Sequence, residues 1–226
     1  MSRLRGRRIV VGVTGGIAAY KTCDLVSTLT QAGAQVRVVM TESAQRMVSA
    51  LTMATLSGNP VITDMWDEHD DMAHISLADF AEMVIVAPAT ANIIGKLAGG
   101  IADDMLSTTL LTLDCPVAVA PAMNTRMWRS AAVRDNVAKL RERGVIIIEP
   151  EEGRLACGDV GAGRLPDTAT LMDEIEQALG VTGPLAGKRV VVTAGPRCTT
   201  SRTIFLLHHF RIYKMGYAIA DAAARR

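Results

Sequence analysis

Five short apolar runs, alternating with amphipathic stretches, constrain this chain more than any other feature of it. Arg8-Ile9-Val10-Val11-Gly12-Val13, Gln35-Val36-Arg37-Val38-Val39-Met40, Met83-Val84-Ile85-Val86-Ala87, Pro116-Val117-Ala118-Val119-Ala120 and Val145-Ile146-Ile147-Ile148 read as strands buried on both faces. Between and after them, helices are expected over 17–32, from 41–43 onward, over 93–113, 131–143 and 168–179. Apolar strands alternating with helices imply an α/β fold: a parallel sheet in a three-layer sandwich with helices on both faces. Such sheets bind ligands outside the carboxyl ends of their strands. Here those ends carry Thr14-Gly15-Gly16, Thr41-Glu42-Ser43, Pro88-Ala89-Thr90-Ala91-Asn92, Pro121-Ala122-Met123-Asn124 and a glycine-rich segment around Cys157. All the chemically unusual segments therefore fall on one edge.

At 226 residues and 49% apolar content the chain can build a sizeable core. A formal net charge of +1 gives no global field for nucleic acid or an anionic membrane. The one basic run, Arg3, Arg5, Arg7 and Arg8, reads as a solvated lead-in to the first strand. Four scattered cysteines form no C-x-x-C pair, which argues against a zinc site or a disulfide framework. The absence of a signal peptide or a span-length apolar stretch points to a cytoplasmic protein. A Gly/Pro-bearing linker near 180–184 suggests a main domain over 1–180. The appendage over 181–226 is too short for its own core.

Thr14-Gly15-Gly16-Ile17 lies between strand and helix, where amides can hold a phosphate and glycine lets the anion approach. The motif is not G-x-G-x-x-G and no acidic residue ends the second strand, which weighs against a nicotinamide dinucleotide. A plain strand-to-helix turn explains this loop equally well. Thr41 and Ser43 can add phosphate contacts or simply cap a helix. The segment Pro88-Ala89-Thr90-Ala91-Asn92 offers small side chains, the hydroxyl of Thr90 and the amide of Asn92, and its small residues, Ala89 among them, would let a flat ring lie against the backbone. Asn124 can hold a carboxylate beside Met123, although a capped helix start accounts for the same residues. His74 follows the acids Asp64, Asp67, Glu68, Asp70 and Asp71. Acids this dense usually form a solvated face, so no metal site is expected, and His74 is a candidate acid, base or substrate contact. Cys157 sits among four glycines and two arginines, Arg154 and Arg164, over 153–166. Nearby cations favour a thiolate, and the segment lacks helical or strand periodicity, so it is expected to be a mobile loop closing over a site. An inert cysteine in a glycine turn is the alternative.

Taken in order, Val13-Thr14-Gly15-Gly16-Ile17-Ala18-Ala19-Tyr20-Lys21, Ala73-His74-Ile75, Ala87-Pro88-Ala89-Thr90-Ala91-Asn92, Pro121-Ala122-Met123-Asn124 and Ala156-Cys157-Gly158-Asp159 resemble the flavin-dependent cysteine decarboxylases, most of all the phosphopantothenoylcysteine decarboxylases. The resemblance covers residues 7 to about 180. It implies a flavodoxin-like, Rossmann-like fold, FMN held by residues including Thr14, Gly15, Gly16, Ile17, Thr41, Ser43, Ala89, Thr90 and Asn92, and trimers with flavin at subunit interfaces. It also implies conversion of 4'-phosphopantothenoylcysteine to 4'-phosphopantetheine and carbon dioxide, in coenzyme A biosynthesis. A cysteine carboxylate cannot leave unaided, because the carbanion would be unstabilised; transient oxidation of the thiol to a thioaldehyde supplies the electron sink. By the same resemblance His74 acts in oxidation or substrate positioning, Asn124 holds the carboxylate, Cys157 gives the last proton, and Met123 and Arg164 complete the substrate contacts.

Residues 190–196 and 214–220 resemble the start of a phosphopantothenate–cysteine ligase, but 197–213 depart from that pattern, and no ligase activity is expected. Two other classes fit the fold: a flavin-binding regulatory protein without turnover, and a prenyl-transferring flavoprotein. The first would not need Cys157, Asn124 and His74 together; the second would not need the thiol segment.

Overall fold

The structure, a computed structural model, describes residues 3–65, 72–156 and 158–180. Six parallel strands form the central sheet: β1 (Arg8–Val13), β2 (Gln35–Met40), β3 (Val61–Ile62), β4 (Met83–Ala89), β5 (Val117–Pro121) and β6 (Ile146–Ile147). Their order is β3-β2-β1-β4-β5-β6. This is the Rossmann order; without the two-residue β3 it becomes the flavodoxin-like order. The chain winds one way from β1 and the other way from β4, so the crevice expected of such sheets opens between these two strand ends.

The apolar runs are continuous because both faces of the sheet are covered. Val10, Val39, Val84, Val86 and Val119 pack into one core with α4 (Ala73–Phe80), α5 (Ala91–Gly99), α6 (Met105–Leu111) and α8 (Ala131–Glu142). The alternate residues Ile9, Val11, Val38 and Ile85 are fully buried as well. On that side α1 (Ala19–Gln31) packs with α3 (Ala50–Ser57) and α9 (Thr168–Ala178). Two one-turn helices, α2 (Glu42–Gln45) and α7 (Thr125–Arg129), open directly after β2 and β5.

Several expectations need correcting. The stretch 93–113 is mostly helical as expected, but in two pieces: it breaks after Gly99 and restarts at Met105. The arginine lead-in is not simply solvated. Leu4 is fully buried, the Gly6 amide donates to the Gly33 carbonyl (2.8 Å), and Arg7 pairs with Glu82 at 3.2 Å. The segment around Cys157 is not an irregular loop either. Glu151–Arg154 (β7) and Val160–Arg164 (β8) pair as an antiparallel hairpin. Cys157 itself lies outside the described residues, as do Asp67, Glu68, His69, Asp70, Asp71 and all of 181–226.

Asp104 starts α6 with a capping box. Its Oδ1 accepts from the Ser107 amide (2.8 Å), and the Ser107 hydroxyl accepts from the Asp104 amide (3.0 Å). Lys96 Nζ lies 2.6 Å from Asp104 Oδ2, so the pair fastens α6 to α5. Burial works against the charge on Asp104, but Lys96 and the Ser107 donors outweigh it and hold the carboxyl below its ordinary value. A carboxyl depressed by folding stabilises the fold above its unfolded pKa, and that stability is lost as pH falls through the folded value. Asp104→Asn keeps a cap-competent side chain and removes the charge. It is expected to cost about 0.5–1 kcal/mol at neutral pH and to soften the acid limb of stability, read from urea unfolding at several pH values. An acid limb as steep as the parent's would show that Asp104 does not carry this dependence.

Candidate active site

A cleft of about 710 Å³ opens outside the carboxyl ends of β1, β4 and β5. Gly15, Gly16 and Ile17 wall it from the loop after β1, Thr90 and Ala91 from the end of β4, and Ala122, Met123 and Asn124 from the end of β5. The hairpin supplies Arg154, Leu155, Ala156 and Arg164, and the first turn of α1 supplies Tyr20 and Lys21.

The floor is held by Thr14. Its buried hydroxyl donates to the Pro88 carbonyl (2.6 Å) and accepts from the Thr90 amide (3.1 Å), tying the ends of β1 and β4 together. The two glycines above it have different reasons to be glycine. A Cβ on Gly15 would lie 2.3 Å from Ser43 Cβ, so Gly15 is required by protein packing. At Gly16 the nearest atoms would be Thr90 Cγ2 at 3.5 Å and Pro88 Cγ at 3.6 Å, ordinary contacts. The protein itself does not demand a bare backbone at Gly16, which leaves a ligand surface free of side chain. With Thr90, Ala91 and Ala122 alongside, the cleft offers small walls that a flat ring can lie against.

Asn124 closes another side. Its Oδ1 accepts from the Arg126 amide (2.8 Å) and caps α7, while Nδ2 donates to Asp159 Oδ2 (3.3 Å) in the hairpin turn. The helix-cap reading of Asn124 is therefore correct for the carbonyl half of the amide; the donor half faces the turn that contains residue 157. That turn is tight: the Leu155 amide donates to the Asp159 carbonyl (2.8 Å) and the Gly158 amide to the Leu155 carbonyl (2.9 Å).

Of the residues expected at a site, Gly15, Gly16, Ile17, Thr90, Met123, Asn124 and Arg164 line the cleft. Thr14 lies beneath it. Thr41 caps α2 by accepting from the Ala44 amide, and exposed Ser43 packs against Gly15. Ala89 is fully buried in β4, exposed Asn92 stands in the first turn of α5, and half-buried His74 stands in the first turn of α4. None of these five is among the residues lining the cleft. Among the described residues no group of three His, Cys, Asp or Glu side chains gathers as a metal site. The two described cysteines, Cys23 and Cys115, are half-buried, and burial pushes both thiols up, away from reactivity.

Lys21, Tyr20, Arg154 and Met127 were missed as site residues. The signal for Lys21 was its place five residues past Gly16, in the first turn of a helix that begins at the ligand edge. Burial first, and then the like charge of Arg164, hold the Lys21 ammonium below its ordinary pKa.

Residues 1–180 match the Flavoprotein family. The coenzyme A biosynthesis bifunctional protein CoaBC of Bacillus subtilis is 50% identical over 226 residues, covering 98% of this chain and 56% of that protein. The chain thus spans about half the length of the curated relatives it matches. The FMN-dependent cysteine decarboxylase SpaF superposes with a TM-score of 0.69 at 36% identity, over 78% of this chain and 97% of that one. A cysteine-to-serine variant of PPC decarboxylase, complexed with pantothenoylaminoethenethiol, gives a TM-score of 0.69 at 31% identity, over 76% and 98%.

Proposed function

The chain belongs to the flavoprotein family, and from that premise we propose that it binds FMN and decarboxylates 4'-phosphopantothenoylcysteine to 4'-phosphopantetheine. One observation carries this reading: at the β1/β4 switch point, a small-walled cleft with a bare glycine backbone meets the β7–β8 hairpin, and the sequence puts the candidate acid, Cys157, between those two strands. The enzymatic character of SpaF and PPC decarboxylase, at 36% and 31% identity, supports it.

In this reading Gly15, Gly16, Ile17 and Thr90 hold the cofactor, with Thr14 bracing the floor and Thr41, Ser43, Ala89 and Asn92 shaping its surroundings. Bound FMN supplies reversible two-electron oxidation of the substrate thiol, which makes loss of carbon dioxide possible. Asn124 Nδ2 donates to the substrate carboxylate, Met123 and Arg164 contact the rest of the molecule, and Cys157 protonates the product carbon. The hairpin walls one side of the cleft and reduces the water around the reacting thiol.

A cytoplasmic homotrimer, or a multiple of trimers, belongs to the same proposal. Ile17 and Tyr20 at the cleft are 62% and 60% exposed, and apolar groups of that size favour cover by a second copy. His74, outside this cleft, then enters the site from a neighbouring copy. Among the described residues no helix is long and apolar enough to cross a membrane.

The protein is expected to purify yellow, with FMN bound noncovalently, and to release carbon dioxide and 4'-phosphopantetheine from 4'-phosphopantothenoylcysteine, followed by mass spectrometry. Protein that stays colourless in excess FMN, or that binds FMN and leaves the substrate intact, would refute the proposal.

A further inference from the structure

Lys21 and Arg164 reach the cleft from different elements, α1 and β8, and both line it. Two cations at one cleft repel each other and need compensation. Two carboxylates stand nearby, but backbone donors fix both. Glu151 Oε1 accepts from the Asp167 amide (3.1 Å), with Oε2 3.8 Å from Arg164 Nε. Asp167 Oδ1 accepts from the Thr170 amide (2.8 Å) as the cap of α9. Among the described residues the Lys21 ammonium makes no hydrogen bond or ion pair. The fold has thus assembled an ammonium and a guanidinium at a ligand cleft and left the ammonium uncompensated by any contact partner.

We propose that Lys21 and Arg164 form a phosphate-monoester site that receives the 4'-phosphate of the substrate. The inference rests on the decarboxylase reading for the identity of that substrate. A phosphate dianion suits the pair: Arg offers a planar fork of donors, Lys a point charge, and charge-assisted bonds replace the repulsion between them. The substrate's phosphate is preferred over the cofactor's because Arg164 belongs to the hairpin, a different element of the cleft wall from the Gly15-Gly16 loop. Lys21 is held below its ordinary pKa by burial and then by Arg164, with Glu151 and Asp167 opposing and Arg154 also at the cleft. Phosphate binding therefore favours the protonated ammonium. By reciprocity, affinity falls as pH rises through the depressed pKa of Lys21.

The test is calorimetric titration of the FMN-loaded protein with two unreactive ligands, 4'-phosphopantothenate and pantothenate. The wild type is expected to prefer the phosphorylated ligand by roughly tenfold or more, with Lys21→Met and Arg164→Met each collapsing most of that ratio. Lys21→Arg should keep the preference and flatten its dependence on alkaline pH. Equal affinity for the two ligands in the wild type, or a ratio that neither variant alters, would overturn the proposal. A parallel titration with FMN locates the phosphate: if Lys21→Met weakens FMN by the same factor, the site belongs to the cofactor and the assignment to substrate is wrong. Turnover separates this inference from its premise. Preference for the phosphorylated ligand without carbon dioxide release leaves the phosphate site standing and removes the decarboxylase; decarboxylation without preference does the reverse.

Discussion

Cys157→Ser is expected to release carbon dioxide yet fail to complete the reaction, with turnover reduced about 10²–10⁴-fold, the range for loss of a general acid. Oxidation of the substrate thiol and loss of the carboxylate precede the step assigned to Cys157, so neither needs its proton. The last step returns two electrons and two protons to the carbon–carbon double bond of the decarboxylated product, one of those protons from Cys157, and a serine hydroxyl is a far weaker acid than a thiol. Without oxygen, visible flavin absorbance should therefore fall on mixing with 4'-phosphopantothenoylcysteine and stay low. Mass spectrometry should find a product two hydrogens short of 4'-phosphopantetheine. Cys115→Ser provides the control: its half-buried thiol, pushed up by burial, lies outside the cleft and should leave the reaction complete. If Cys157→Ser forms carbon dioxide and 4'-phosphopantetheine at the parent rate, the residue is a turn cysteine and some other group supplies the proton.

The sheet was legible in the sequence because its strands are buried on both faces and so appear as unbroken apolar runs. β3 escaped notice because two residues, Val61 and Ile62, make no run at all. The hairpin escaped for a different reason. Its strands, Glu151-Glu152-Gly153-Arg154 and Val160-Gly161-Ala162-Gly163-Arg164, lie at the surface and carry almost no large apolar residues, so no period-two pattern reports them. The cleft was legible as an edge, since Gly16, Thr90, Asn124 and Arg164 all follow or adjoin strand ends. Which of those residues line the cleft and which are committed to protein contacts was not. Gly15 and Gly16 are adjacent and chemically identical, yet only the first is pressed against Ser43. Thr14 resembled a ligand contact, but its hydroxyl is committed to Pro88 and Thr90. Such divisions depend on contacts between residues some 75 positions apart in the chain, which local pattern does not encode.

Gly163→Ala is expected to detach the hairpin from the cleft and remove decarboxylation more completely than any other glycine-to-alanine change in that segment. Gly163 has φ 136°, where L side chains are strained, and a Cβ there would lie 2.2 Å from the Met123 carbonyl oxygen. The obstacle is backbone, so no rotamer relieves it, and the Met123 amide also donates to the Gly163 carbonyl at 3.0 Å. β8 can rest against the end of β5 only through a residue without a side chain. Strain of this kind costs on the order of 1–3 kcal/mol, so the hairpin should peel away before the sheet yields. Arg164, Arg154 and the turn bearing Cys157 would leave with it, while Gly15, Gly16 and Thr90 stay in place. The variant should therefore keep FMN, lose at least about a hundredfold in kcat, in line with lost positioning, and show faster hydrogen exchange over 151–164. Gly158→Ala separates strain from clash. Its φ of 91° is also unfavourable, but a Cβ there would meet nothing within 4 Å, so it should be much the milder change. If Gly163→Ala exchanges and turns over like the parent, the contact with Met123 does not hold the hairpin, and the cleft does not depend on it for its fourth wall.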